Sequence, residues 1–120
     1  MEYLIKNDYL EVKIKQKGAE LAGILRKSDG NQLMWQADPA HWGRHSCILF
    51  PFVGRLKDNR YLYNGQIYEM GQHGFARDLP FTALSHENDS VSLRLTESQE
   101  TLALYPFPFQ LTATYRLHLH

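Results

Sequence analysis

Near its end the chain carries a sustained two-residue period. Phe109, Leu111, Ala113, Tyr115, Leu117 and Leu119 alternate with Gln110, Thr112, Thr114, Arg116 and His118. On a helix this spacing would scatter apolar side chains around the whole cylinder; on a strand it gathers them on one face. The same period recurs at Leu10, Val12 and Ile14 against Glu11, Lys13 and Lys15, and at Val91, Leu93 and Leu95 against Ser92, Arg94 and Thr96. No amphipathic helix of ordinary length is written in the sequence. The expected class is all-β, an antiparallel β-sandwich or open sheet.

Turn chemistry divides the strands. Lys17-Gly18 closes the first, Leu21, Ile24 and Leu25 mark a second, and Ser28-Asp29-Gly30-Asn31 leads into a third at Gln32-Leu33-Met34-Trp35, an antiparallel meander. Asp38 to Ser46 breaks the rhythm with Pro39 and Gly43 and reads as a loop or a short helical turn. Asn64-Gly65, between Tyr61-Leu62-Tyr63 and Gln66-Ile67-Tyr68-Glu69-Met70, suits a two-residue type I′ hairpin, because both central residues need positive φ. A further hairpin turns about Asn88-Asp89. Thr96 to Thr101 predicts one capped helical turn, which Tyr105-Pro106-Phe107-Pro108 cannot prolong.

The 120 residues fit one domain, with 13 basic and 13 acidic side chains and no basic block, so the electrostatic footprint for nucleic acid is missing. The first residues, Met-Glu-Tyr-Leu-Ile-Lys-Asn-Asp, lack the basic n-region and long apolar h-region expected of a signal peptide, and no apolar run reaches the ~18 residues a membrane span needs. A single cysteine, Cys47, excludes an intrachain disulfide and points to a reducing compartment; beside Ile48 and Leu49 it reads as a buried structural thiol. The expectation is a cytoplasmic protein.

Chargeable groups and rigid punctuators gather in two stretches, Leu49-Phe50-Pro51-Phe52-Val53-Gly54-Arg55-Leu56 and Gln72-His73-Gly74-Phe75-Ala76-Arg77-Asp78. Arg55 and Arg77 each follow a small residue, and a guanidinium fork suits vicinal hydroxyls, carboxylate or phosphate; the alternative is surface arginines paired with Asp58 and Asp78. His73 suits donation to a sugar oxygen or general acid–base work, against a structural role on backbone groups. His41 and His45 are four apart, but Pro39 and Gly43 oppose a regular helix and no third ligand is near, so no metal is expected. Trp35, Trp42, Tyr61, Tyr63, Phe75 and Phe81 include both stacking platforms for a sugar ring and core or cross-strand pairs.

Phe50-Pro51-Phe52-Val53-Gly54-Arg55-Leu56-Lys57, Tyr63-Asn64-Gly65-Gln66-Ile67-Tyr68, Gln72-His73-Gly74-Phe75-Ala76-Arg77-Asp78, Tyr105-Pro106-Phe107-Pro108-Phe109 and Tyr115-Arg116-Leu117 together resemble the aldose 1-epimerase (galactose mutarotase) superfamily. The nearest branches are its aldose 1-epimerase-related and hexose-6-phosphate 1-epimerase members. The resemblance implies the N-terminal part of a β-supersandwich, no cofactor, and a sugar or sugar-phosphate ligand. It implies that Arg55, Gln72, His73 and Arg77 bind substrate, with His73 at most an auxiliary catalytic group. The family interconverts α and β anomers: a histidine protonates the ring oxygen while a glutamate takes the C1 hydroxyl proton. In the family this acid is a second histidine downstream of the one His73 matches, and neither it nor the glutamate has a counterpart here; His86, His118, His120, Glu97 and Glu100 stand in the wrong context. The catalytic pair is therefore expected beyond His120. Two other readings are a non-catalytic carbohydrate-binding module and a fragment that self-associates through its last strand.

Overall fold

In the computed structural model, which describes residues 1–118, the period-two segments form antiparallel strands. Leu119 and His120, expected at the end of the last strand and on its polar face, lie outside the described residues. Strands β1 (Glu2–Lys6), β2 (Leu10–Lys15), β3 (Leu21–Arg26) and β4 (Asn31–Gln32) follow one another in a four-stranded sheet. Tyr3 pairs with Ile14 and Ile5 with Val12, and all four side chains are buried on one face. β1 departs from the sequence reading, in which no strand begins the chain. Leu4, half exposed between Tyr3 and Ile5, masks the alternation.

β4 is shorter than the strand expected over Gln32-Leu33-Met34-Trp35. The Gln32 Oε1 accepts the backbone N–H groups of Ile24 (2.7 Å) and Met34 (3.3 Å), so a side-chain amide takes a place that the strand ladder would fill. β5 (Arg60–Tyr63) and β6 (Gln66–Glu69) make the expected hairpin, with Asn64 at φ 50° and Gly65 at φ 78°. Across it Tyr61 stacks on Tyr68, ring centroids 5.5 Å apart.

β7 (Thr82–His86), β8 (Ser90–Thr96) and β9 (Gln110–Arg116) form the third sheet, with β8 central. Val91, Leu93 and Leu95 point inward as the alternation requires, while β9 alternates between exposed and half-buried. The short helix α1 (Gln99–Leu104) is capped by Ser98, two residues later than the Thr96 start expected. Ser98 Oγ accepts the Thr101 N–H and Thr101 Oγ1 accepts the Ser98 N–H. Thr96 instead completes β8, paired with Gln110.

One cluster unites the sheets: Tyr3, Ile5, Val12 and Ile14 from β1 and β2, Val91, Leu93 and Leu95 from β8, and Met70, Phe75, Ala76 and Phe81 from the connections. The Lys6 N–H donates to the Asn88 carbonyl (2.7 Å), tying β1 to the β7–β8 turn. Among the described residues no helix is long and apolar enough to cross a membrane. Leu93 is fully buried at the centre of this cluster. Leu93→Ala is expected to destabilise the protein by about 2–5 kcal/mol, read as a lowered urea midpoint at unchanged slope. A loss below about 1 kcal/mol would mean that β8 is not the central core strand.

Candidate functional site

The two chargeable stretches are joined through backbone. The Phe50 carbonyl accepts the N–H groups of Phe75 (2.9 Å) and Ala76 (3.2 Å), and Phe50 bridges Gly74 in parallel. Gly74 has φ +75°, and a Cβ there would overlap the Phe50 carbonyl, so the contact requires glycine. The Phe50–Pro51 peptide is cis. Phe50 packs on Phe75 at 6.0 Å and on Tyr105 at 5.9 Å between ring centroids, both near edge-on, anchoring the join in the aromatic core.

His73, also at positive φ (62°), is held from both sides by Gly54. Its N–H donates to the Gly54 carbonyl and its Nδ1 accepts the Gly54 N–H, each at 2.8 Å. In the neutral ring an accepting Nδ1 leaves the proton on Nε2, so the histidine presents one oriented donor. The backbone role considered for His73 is therefore filled by Nδ1, and the residue also lines a cavity.

That cavity, of about 280 Å3, is lined by Trp42, Cys47, Leu49, Gln72, His73 and Arg77. The structure therefore brings Gln72, His73 and Arg77 together. Arg55 is not in the lining; it is exposed and donates from Nε to Asn59 Oδ1 at 3.0 Å. Trp42 is half exposed, an indole surface at the cavity edge. Its carbonyl accepts the Trp35 Nε1–H (2.8 Å), which fixes the 35–42 loop. The stacked Tyr61 and the fully buried Phe81 belong to the framework.

Neither arginine takes the acidic neighbour considered for it. Arg77 Nη2 donates to the Gln72 carbonyl (3.2 Å) and its buried Nε has no protein partner. Asp78 instead accepts from Arg44 Nη2 at 2.9 Å. Arg77 and Asp78 lie in the 3-10 turn Ala76–Asp78, where successive side chains point about 120° apart. Asp78 and burial act in opposite senses on Arg44, and the carboxylate prevails, so the guanidinium is held further above its ordinary value.

Behind the cavity wall stands Glu20, which the sequence pattern does not single out. It is nearly buried; Oε1 accepts from the His45 N–H (3.2 Å) and the Cys47 thiol (3.0 Å), and Oε2 lies 3.9 Å from Lys15 Nζ and 3.6 Å from His45 Nδ1. Burial alone would raise the Glu20 carboxyl; the Cys47 and His45 hydrogen bonds and the charges of Lys15 and His45 outweigh it and hold the group below its ordinary range. Cys47 is half-buried rather than buried, and burial together with Glu20 pushes its thiol up, away from nucleophilic chemistry. His41 faces the Trp35 ring while His45 faces Glu20, and no group of three metal-ligating side chains occurs among the described residues. His86 bonds the Leu4 carbonyl (2.9 Å) and Glu97 accepts the Phe109 N–H (3.3 Å), both framework roles.

Comparison with known proteins agrees with the resemblance. A family model described as Aldose 1-epimerase matches residues 1–120. Protein LacX of Lactococcus lactis subsp. lactis is 34% identical over 119 residues, 95% of this chain and 40% of that protein. The X-ray structure of a galactose mutarotase related enzyme from Lactobacillus acidophilus is similar with a TM-score of 0.96 at 42% identity, over 98% of this chain and 39% of that one. A galactose mutarotase-like protein from Lactobacillus casei gives a TM-score of 0.95 at 34% identity, over 99% and 40% of the two chains. The chain spans about 40% of the length of the curated relatives it matches.

The Glu20 network makes a prediction with a definite sign. The folded carboxyl titrates below the ordinary 4.5, so its contribution to stability is present above about pH 4.5 and is lost as pH falls through the folded value. The full protein is expected to lose thermal stability below that pH, and Glu20→Gln to be less stable at neutral pH with a shallower acid limb. Identical acid limbs would show that the network does not hold the carboxylate.

Proposed function

Because this chain belongs to the aldose 1-epimerase family, we propose that the full-length protein interconverts the α and β anomers of a hexose or hexose phosphate. The observation that carries this reading is the cavity in which His73, with its proton directed to Nε2, shares the lining with Trp42, Gln72 and Arg77. An indole edge suits the C–H face of a pyranose, and a carboxamide, an oriented N–H and a guanidinium suit its oxygens. Arg55 joins this set through its place beside Gly54. In this reading Gln72, His73, Arg77 and Arg55 bind and orient the sugar.

Anomer exchange needs a base for the C1 hydroxyl and an acid for the ring oxygen. The lining holds no carboxylate, and His73 in its fixed tautomer donates rather than accepts. Those steps are assigned to a histidine and a glutamate outside these 120 residues. The same observation favours a second reading, a carbohydrate-binding module that retains the cleft and performs no chemistry.

NMR exchange spectroscopy on glucose, galactose and their 6-phosphates tests both readings with the full-length protein. Acceleration of exchange is expected, with His73→Ala lowering kcat/KM by about tenfold to a hundredfold, the consequence of one lost oriented hydrogen bond. Saturable sugar binding with no acceleration would replace the enzyme by the binding module. Neither binding nor acceleration across these sugars would remove both.

A further inference from the structure

A second cavity, of about 270 Å3, shares Arg77 with the first and is otherwise lined by Lys15, Lys17, Glu20, Gly43 and Arg44. These residues come from three separated segments that backbone pairing locks together. The Lys17-Gly18 turn is held to the segment after Arg77: Lys17 bridges Pro80, the Gly18 N–H donates to the Leu79 carbonyl (2.7 Å), and the Phe81 N–H donates to the Gln16 carbonyl (3.0 Å). The loop bearing Gly43 and Arg44 is tied to β3 where Leu21 bridges Ser46. The cations are therefore gathered by the framework.

A purely structural charge network would alternate signs, and this one does not. Lys15 stands 3.9 Å from Glu20, and Arg44 meets Asp78 through one guanidinium nitrogen. Lys17 and Arg77 enter no ion pair among the described residues. Glu20 already accepts the His45 N–H and the Cys47 thiol, and Asp78 is half exposed on Arg44. Four cations thus face the acidity of Glu20 and Asp78, with the Arg77 Nε buried and unpartnered.

We propose that this cavity is an anion site, formed by Lys15, Lys17, Arg44 and Arg77 and suited to a phosphate or carboxylate group. Two guanidinium forks give an oxyanion directional donors, and the two lysines add mobile ones. Such an anion has two sources: the acidic group of a ligand that reaches into both cavities past Arg77, or a free anion bound beside the sugar. The site shares Arg77 with the sugar-binding reading but requires binding only and no anomer exchange.

Calorimetric titration of inorganic phosphate into the full-length protein at low ionic strength tests it. Saturable binding is expected, weakened roughly fivefold to tenfold by Lys17→Gln and at least as much by Arg44→Gln. Lys17 is exposed, so its replacement leaves the fold intact, and Lys17→Arg is expected to retain affinity. Titrating glucose and glucose 6-phosphate separates the two sources. A spanning ligand predicts that glucose 6-phosphate displaces phosphate, binds tighter than glucose, and loses that advantage in Lys17→Gln. A free anion predicts that phosphate and sugar bind together without competition. No saturable phosphate binding, or equal affinity in the wild type and both glutamine variants, would overturn the site. Exchange activity without phosphate binding removes this proposal alone, and phosphate binding without exchange leaves it standing.

Discussion

The carbonyl of Phe50 takes two backbone N–H groups, from Phe75 and Ala76, and the geometry of the site descends from that acceptor. Two chain segments paired by a single parallel bridge meet there, among the rings of Phe50, Phe75, Tyr105 and Phe109. Phe75 and Ala76 are buried, so their N–H groups would have no solvent to turn to if the carbonyl moved. Once the join is fixed, Gly74 sits against it and His73 is presented to Gly54. The reciprocal bonds between His73 and Gly54 then orient the imidazole without using any other side chain. The peptide backbone alone sets the tautomer and the orientation of this ring.

The opposite wall is organised by Glu20. From the end of the β2–β3 turn its carboxylate reaches the His45 N–H and the Cys47 thiol, while the Ala19 carbonyl beside it accepts the Tyr115 hydroxyl from β9 at 2.7 Å. The β2–β3 turn is thereby tied both to the loop bearing His45 and Cys47 and to the third sheet. The fold supplies two rigid banks, one built on Phe50 and one on Glu20, with Arg77 between the cavities they enclose.

Legibility of this arrangement followed the range of the interaction responsible. The Asn64-Gly65 hairpin, the inward face of β8 and the alternation of β9 were readable because turn conformation and two-residue period are local properties. β1 was obscured by Leu4, an exposed leucine in the wrong phase, and the third strand was overextended because Gln32 caps its own ladder. Gln72, His73 and Arg77 were recognisable as a group from their closeness in sequence and from the family motif. The placement of Arg55 outside the cavity, the Arg44–Asp78 pair and the Glu20 network were not recognisable. Each depends on contacts between residues distant in the chain, which no window of sequence displays.

Gly18 shows how far this interdependence extends. It lies in a framework turn at φ +73°, and a Cβ placed on it would come within 2.6 Å of the Arg77 carbonyl oxygen. Any other residue there must displace the backbone that carries Arg77, so a functional selection would score this turn glycine beside the residues that line the two cavities, although it lines neither. The genetic footprint of the site is accordingly wider than its chemical one, and it includes positions whose whole contribution is the absence of a side chain.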